Sequence, residues 1–180
     1  MRISDFDVFV VPGLDAGPDD WPSRWLSKLS TARLVEPADH RDVSEDGWTR
    51  AIAGAARGAS RPILFVGHGL GAAAIAAAAH TLGGADVRGA FLVALPDELS
   101  LGRIAGKPWA LPRAPLPWPC VVVASRTHAD SDYAAAAALA TLWGAALIDA
   151  GAAGGIDAES GHGPWPEGLM RLAGFIRTLR

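Results

Sequence analysis

Residues 62–79 read Pro-Ile-Leu-Phe-Val-Gly-His-Gly-Leu-Gly-Ala-Ala-Ala-Ile-Ala-Ala-Ala-Ala. Ile63–Val66 is a short, continuous apolar run, the mark of a strand covered on both faces. Three glycines follow at alternate positions, Gly67, Gly69 and Gly71. Ala72–Ala79 is then helix-forming and small enough to lie close against a sheet. Strand, sharp turn and helix in that order are the setting of a nucleophile elbow, whose pattern is Gly-x-Ser-x-Gly. The central residue here is Gly69, which carries no nucleophile. The stretch therefore predicts the fold firmly and leaves the chemistry open.

The same alternation runs outward in both directions. Phe6–Val11 predicts a buried strand broken by Pro12-Gly13, and Trp21–Leu29 a helix with Pro18 and Pro22 near its start. Ala32–Val35 is a weak strand, and Glu45–Arg57 has helical spacing at Trp48, Ile52 and Ala55. Pro62–Val66 is the third strand, Ala72–Leu82 the helix behind it, and Val87–Ala94 the fourth strand. Residues 96–119 hold six prolines and read as a long irregular excursion. Cys120–Ser125 is a fifth strand, Tyr133–Trp143 a helix, Ala146–Asp149 a last short strand and Pro166–Leu179 a final helix. Strands alternating with helices predict an α/β fold, doubly wound, with a mostly parallel sheet flanked by helices, in one domain over residues 1–180. Ligands in such folds bind beyond the carboxyl ends of the strands. The loops expected there are 12–19, 67–71, 95–118, 125–132 and 150–164.

Bulk properties narrow the function classes. Half of the 180 residues are apolar and 19% are charged, enough for a sizeable core. The net charge is -3 and no basic cluster is present, so nucleic acid is not an expected partner. No apolar run is long enough for a membrane span, and residues 1–7 lack a charged-then-apolar leader pattern. A single cysteine, Cys120, excludes an internal disulfide. A cytoplasmic location, no membrane association and no cofactor are the expectations.

Five segments together resemble the small serine hydrolases of the retinoblastoma-binding-protein-9 type, a compact branch of the α/β-hydrolase superfamily. They are Val11-Pro12-Gly13-Leu14, Gly17-Pro18-Asp19-Asp20-Trp21, Gly67-His68-Gly69-Leu70-Gly71, Val122-Val123-Ala124-Ser125-Arg126, and the stretch from Ala158 to Gly168. The last is the most specific, and their order spans nearly the whole chain. The resemblance implies a compact α/β-hydrolase fold and, in the family, a Ser–His–Asp triad acting on esters or amides. Carried over position by position, the serine falls on Gly69, the acid on His128 and the histidine on Gly155. Asp130 or Asp132 would serve as a displaced acid if the acid loop slips.

A triad needs all its members, because histidine activates the serine and a carboxylate orients the histidine. Backbone donors outlast such losses. The amide of Leu70 and one from the Leu14–Asp15 turn would still make an oxyanion hole. The acid–base candidates that remain are His128, Asp130 and His162. Expected binding positions are Leu14, Asp15, His68, Gly69, Leu70, Ser125 and Gly155, with Trp109 and Trp118 as pocket-lining aromatics. No established ligand spacing marks a metal site. Three readings follow. The first is a non-hydrolytic enzyme or binder of a carbonyl-bearing small molecule, with cyclisation, elimination or isomerisation as its chemistry. The second is a pseudoenzyme with a protein partner and a filled or collapsed pocket. The third is a residual hydrolase in which histidine activates water.

Overall fold

The computed structural model describes residues 1–14 and 16–179. Six strands form one sheet: β1 (Asp7–Val11), β2 (Ala32–Leu34), β3 (Ile63–His68), β4 (Val87–Val93), β5 (Cys120–Ala124) and β6 (Ala146–Asp149). Their order across the sheet is β2-β1-β3-β4-β5-β6, and every neighbouring pair is parallel. Six helices connect or flank them: α1 (Trp21–Lys28), α2 (Glu45–Arg57), α3 (Leu70–Ala78), α4 (Glu98–Ala105), α5 (Tyr133–Trp143) and α6 (Pro166–Ile176). This is the doubly wound α/β fold expected from the alternation of elements. The direction of the chain changes between β1 and β3, the kind of switch point where such folds place their ligands.

The period-2 geometry of each strand divides its side chains between two cores. Phe9, Val11, Ile63, Phe65, Ala90, Leu92, Cys120 and Val122 face one layer, where α2, α3 and α5 contribute Trp48, Ile52, Ile75, Leu139 and Trp143. Val8, Val10, Leu64, Val66, Phe91, Val93, Val121 and Val123 face the other, where α1 and α6 supply Trp21, Trp25, Leu172 and Ile176. Both faces are dry, which is why the strands read as unbroken apolar runs. Each fully buried large side chain contributes roughly 1.5–3 kcal/mol, and Trp21, Trp109, Trp143 and four phenylalanines are all below 2% exposed or close to it.

Two glycines of the elbow stretch are fixed by packing. A Cβ on Gly71 would lie 2.1 Å from the carbonyl oxygen of Val11, and one on Gly67 would lie 2.7 Å from Cα of Ala72. Helix α3 therefore rests directly on the end of β1, and its first turn is held over the sheet at backbone distance.

The structure corrects the reading of residues 96–119 as wholly irregular. Helix α4 lies inside that stretch. Asp97 caps it by accepting from the amide of Ser100 at 2.8 Å, and Gly106 ends it in the left-handed region at φ 68°. The remainder of the excursion is irregular but packed. The expected ends of several elements shift by a few residues, as at α3, which starts at Leu70 and gives way to a short 3-10 turn at Ala79–Thr81.

Candidate active site

A cavity of about 320 Å³ opens at the carboxyl ends of the central strands. Its lining includes Leu14, His68, Gly69, Leu70, Ile104, His128, Asp130, Gly155 and Asp157. Five connections meet there, those after β1, β3, β4, β5 and β6: Pro96 lines the cavity from the segment after β4, and Ile104 from helix α4.

Gly69 lies at the turn between β3 and α3 with φ 54° and ψ -123°. This is a conformation that side chains adopt only under strain. Space does not require the glycine. A Cβ there would come no nearer than 3.6 Å to any heavy atom, the closest being Cα of Gly13. Gly69 is held in place by its own amide, which donates to the Val93 carbonyl at 2.9 Å. Leu70 is the first residue of α3, so its amide has no acceptor within the helix.

His68 and His128 are both half-buried cavity walls. Nε2 of His68 lies 2.8 Å from the carbonyl oxygen of Gly155. A carbonyl only accepts, so that nitrogen carries the proton. Burial holds the His68 pKa below the ordinary histidine value, against the pull of the Gly155 carbonyl and of Asp157 and Asp20. His128 has the same tautomer for a different reason. Its Nδ1 accepts from the backbone N–H of Asp130 at 2.9 Å, which leaves the proton on Nε2. Burial again keeps the ring neutral, with Asp130, Asp157 and Asp97 opposing it more weakly. His128 is thus a hydrogen-bond donor to the cavity. To act as a base at Nε2 it would have to give up the Asp130 amide.

Asp157, which the resemblance does not single out, also faces the cavity. Oδ1 accepts from the Ser160 amide at 2.8 Å. Oδ2 lies 2.3 Å from where a Cβ on Gly155 would be. The carboxylate therefore fills space that a side chain at position 155 would take. Burial tends to raise its pKa, but the Ser160 hydrogen bonds and the neighbouring His68 and His128 outweigh that and bring it below the usual carboxylate value.

The loop that carries Asp157 is strained and tightly held. Ile156 is fully buried and sits at φ 51°, a genuine outlier for a β-branched residue. Such strain costs on the order of 1–3 kcal/mol and persists only where neighbours over-determine it. Here Trp21 Nε1 donates to the Ile156 carbonyl at 2.9 Å, the Ile156 amide donates to Ala153 at 3.0 Å, and His68 holds Gly155. Asp20 adds a clamp through Oδ1, which accepts from Ala158 at 2.7 Å.

The other expected site residues fall as follows. Asp130 lines the cavity, but its carboxylate pairs with Arg103 of α4 at 3.1 Å. Asp15 lies outside the described residues. Four of the expected residues lie away from the walls of this cavity. His162 does not reach the cavity: its Nδ1 is 3.1 Å from Ser160 Oγ, within the turn that begins α6's approach. Ser125 is buried, and its Oγ serves the backbone, accepting from Ala153 at 3.1 Å and Thr127 at 3.3 Å. Trp109 and Trp118 are packed in the core on the α2–α3–α5 side of the sheet, at 2% and 8% exposure, and do not line the cavity. Cys120 opens β5 at the far end of the sheet, where burial pushes its thiol up to about 11, so it is protonated and inert at neutral pH.

The serine hydrolase family model matches residues 8–174. The chain belongs to that family. No curated protein sequence matches it. Among solved structures, a YdeN-like hydrolase candidate from Pectobacterium atrosepticum is 28% identical, with a TM-score of 0.86 over 96% of this chain and 92% of that one. The ydeN gene product of B. subtilis is 17% identical, with a TM-score of 0.77 over 96% of this chain and all of the other. A hydrolase candidate of the alpha/beta superfamily from Xanthomonas campestris is also 17% identical, with a TM-score of 0.63 over 92% and 97%. The last two show a shared fold only. No described helix of this family member is long and apolar enough to cross a membrane.

Proposed function

We propose that this serine hydrolase-family protein has lost the family's Ser–His–Asp triad and that its cavity binds and polarises a carbonyl-bearing small molecule without hydrolysing it. The observation that carries the reading is Gly69: an elbow kept in its strained turn, with room for a side chain and no nucleophile. In this reading Gly69 stands for the serine, Gly155 for the histidine and His128 for the acid. The amides of Leu70 and Leu14 take the carbonyl oxygen as an oxyanion hole, and the neutral His128 donates to it from Nε2.

The open cavity favours this reading over a pseudoenzyme whose pocket has collapsed, since a space of about 320 Å³ remains at the elbow. The tautomer of His128 argues against a water-activating hydrolase, because its basic nitrogen is engaged by Asp130.

The test is a titration of the labelled protein with cyclohexanone, followed by amide chemical shifts. Saturable shifts at Gly69, Leu70 and His128 are expected, and His128→Phe should weaken binding by several fold. Absence of shifts around the cavity would overturn the proposal.

A further inference from the structure

We infer that Asp157 is a catalytic base that removes a proton from the carbon next to the bound carbonyl, so that the substrate is a small β,γ-unsaturated ketone, aldehyde or thioester and the reaction its isomerisation to the conjugated form. The inference rests on the carbonyl-binding reading above and adds to it the reacting group and the kind of bond that changes.

Three observations carry it. Asp157 shares one cavity with the neutral donor His128 and the elbow amide of Leu70, so a carboxylate and a set of oxyanion donors face one small space. One of its oxygens is anchored and the other is not. Oδ1 holds the Ser160 amide, while Oδ2 has no hydrogen bond among the described residues. Finally, the residue before it is a buried isoleucine at positive φ, pinned from both sides by Trp21 and His68. Strain of this kind persists where a side chain must be held at one position. A carboxylate base opposite a neutral imidazole donor is an arrangement that serves proton abstraction beside a carbonyl.

The step balances without any co-reactant. Oδ2 takes the α-proton and Asp157 becomes the carboxylic acid. The C–H electron pair forms a carbon–carbon double bond, and the carbonyl pair moves onto oxygen. That oxygen is held by Leu70 N–H and His128 Nε2–H. Because the substrate carries a β,γ double bond, the species formed is a dienolate: the γ-carbon takes the proton back from Asp157, the carbon–carbon double bond moves into conjugation, and the carbonyl and the carboxylate are restored. Gly69 suits this chemistry, because it leaves the space at the elbow free of a side chain.

The charged and titratable groups that act on Asp157 are His68 from β3 and His128 from the loop after β5; Asp20 before α1 acts in turn on His68, and Asp130 and Asp97 on His128. The two histidines are neutral near pH 7 and Asp130 is paired with Arg103. A carboxylate base in that setting stays ionised from neutral pH down to about pH 4, whereas a histidine base in this cavity, its pKa held below the ordinary value of about 6.5, would lose activity below that pH.

The experiment is the conversion of cyclohex-3-enone to its conjugated isomer, followed by ultraviolet absorbance, with deuterium incorporation from D2O read by NMR. Cyclohexanone binding is measured in parallel. Wild-type protein should accelerate the conversion above a heat-inactivated control, with a rate flat from pH 8 to about pH 5 after subtraction of the protein-free rate. Asp157→Asn should lower the enzymatic rate at least 100-fold, within the usual range for a general base. Asn keeps an oxygen for the Ser160 amide, so the loop should hold, and unchanged cyclohexanone binding would show that it does. Cyclohexanone bound without any isomerisation would overturn the assignment and leave carbonyl binding standing. An equal rate in Asp157→Asn, or a rate lost with a midpoint between about pH 5 and pH 6.5, would also overturn it. If neither compound binds, the carbonyl reading fails as well.

Discussion

Serine placed back at the elbow separates the two reasons a glycine can be needed there. In Gly69→Ser the new Cβ meets nothing closer than 3.6 Å, so no atom has to move. The cost is the backbone, which holds φ 54° and ψ -123°. A non-glycine residue in such a region costs about 1–3 kcal/mol. For a domain of this size each kcal/mol lowers the melting temperature by about 2–4 °C, so a fall of roughly 2–12 °C is expected with the fold intact. Gly71→Ala is the contrast, because its Cβ would lie 2.1 Å from the Val11 carbonyl oxygen and 2.5 Å from that of Pro12. Neither backbone atom can yield, and that variant should fail to fold. The serine of Gly69→Ser should also stay inert. His68 is bonded to Gly155 through Nε2, His128 is bonded to Asp130 through Nδ1, and position 155 offers no imidazole. The assay is a thermal melt beside stopped-flow hydrolysis of p-nitrophenyl acetate. Equal destabilisation by the two substitutions would refute the steric argument. A burst of p-nitrophenol from Gly69→Ser would refute the claim that no histidine is placed to activate a hydroxyl at the elbow.

Acidification should destabilise the protein from about pH 6.5 downward. His68 and His128 have folded pKa values held below the ordinary one, so the unfolded chain binds more protons there and stability falls with pH, by at most about 1.4 kcal/mol per unit for each ring. Thermal melts between pH 8 and pH 5 check this, and His68→Asn should flatten the curve. A second loss should begin below about pH 4, as Asp7, Asp42 and Asp157, all below their ordinary values when folded, take up protons. Trp21→Phe removes the donor to the buried Ile156 carbonyl and should cost about 1–3 kcal/mol in chemical denaturation, together with weaker cyclohexanone binding as the loop relaxes. Asp97→Ala removes the cap of α4 and should cost about 0.5–2 kcal/mol, with faster hydrogen exchange confined to residues 98–105.

Much of this architecture is legible in the chain because its strands are buried on both faces. The runs at 7–11, 63–66, 87–93 and 120–124 have no polar interruption except Asp7, Gly67–His68 and Arg88 at their ends, and the elbow glycines punctuate the strand-to-helix turn. Helix α4 was hidden by its neighbours. Prolines crowd residues 108–119, and the eight helical residues before them, Glu-Leu-Ser-Leu-Gly-Arg-Ile-Ala, contain a glycine and too few turns for a periodic signal. Its cap, Asp97 three residues before Ser100, and its stop, Gly106, were the readable signs. The two tryptophans of that excursion look like pocket aromatics because their loop lies at the ligand end. Their burial is set by packing against residues far away in sequence, such as Phe65 beside Trp118. His162 stands in the most distinctive stretch of the resemblance, yet that stretch is a turn held by Asp157 and Ser160. Asp157 is hard to read from the sequence for a related reason. Comparison with a triad directs attention to the positions aligned with its members, such as Gly155, and not to a neighbour whose side chain fills the space beside them.

The central claim is that a family site persists here without its nucleophile. Its most direct test is turnover of a panel of short p-nitrophenyl esters by the wild-type protein, set against the heat-inactivated control. Rates at background are expected for every ester, at every protein concentration. Saturable hydrolysis that scales with protein and disappears in His128→Ala would contradict it, since His128 would then be serving a hydrolytic reaction.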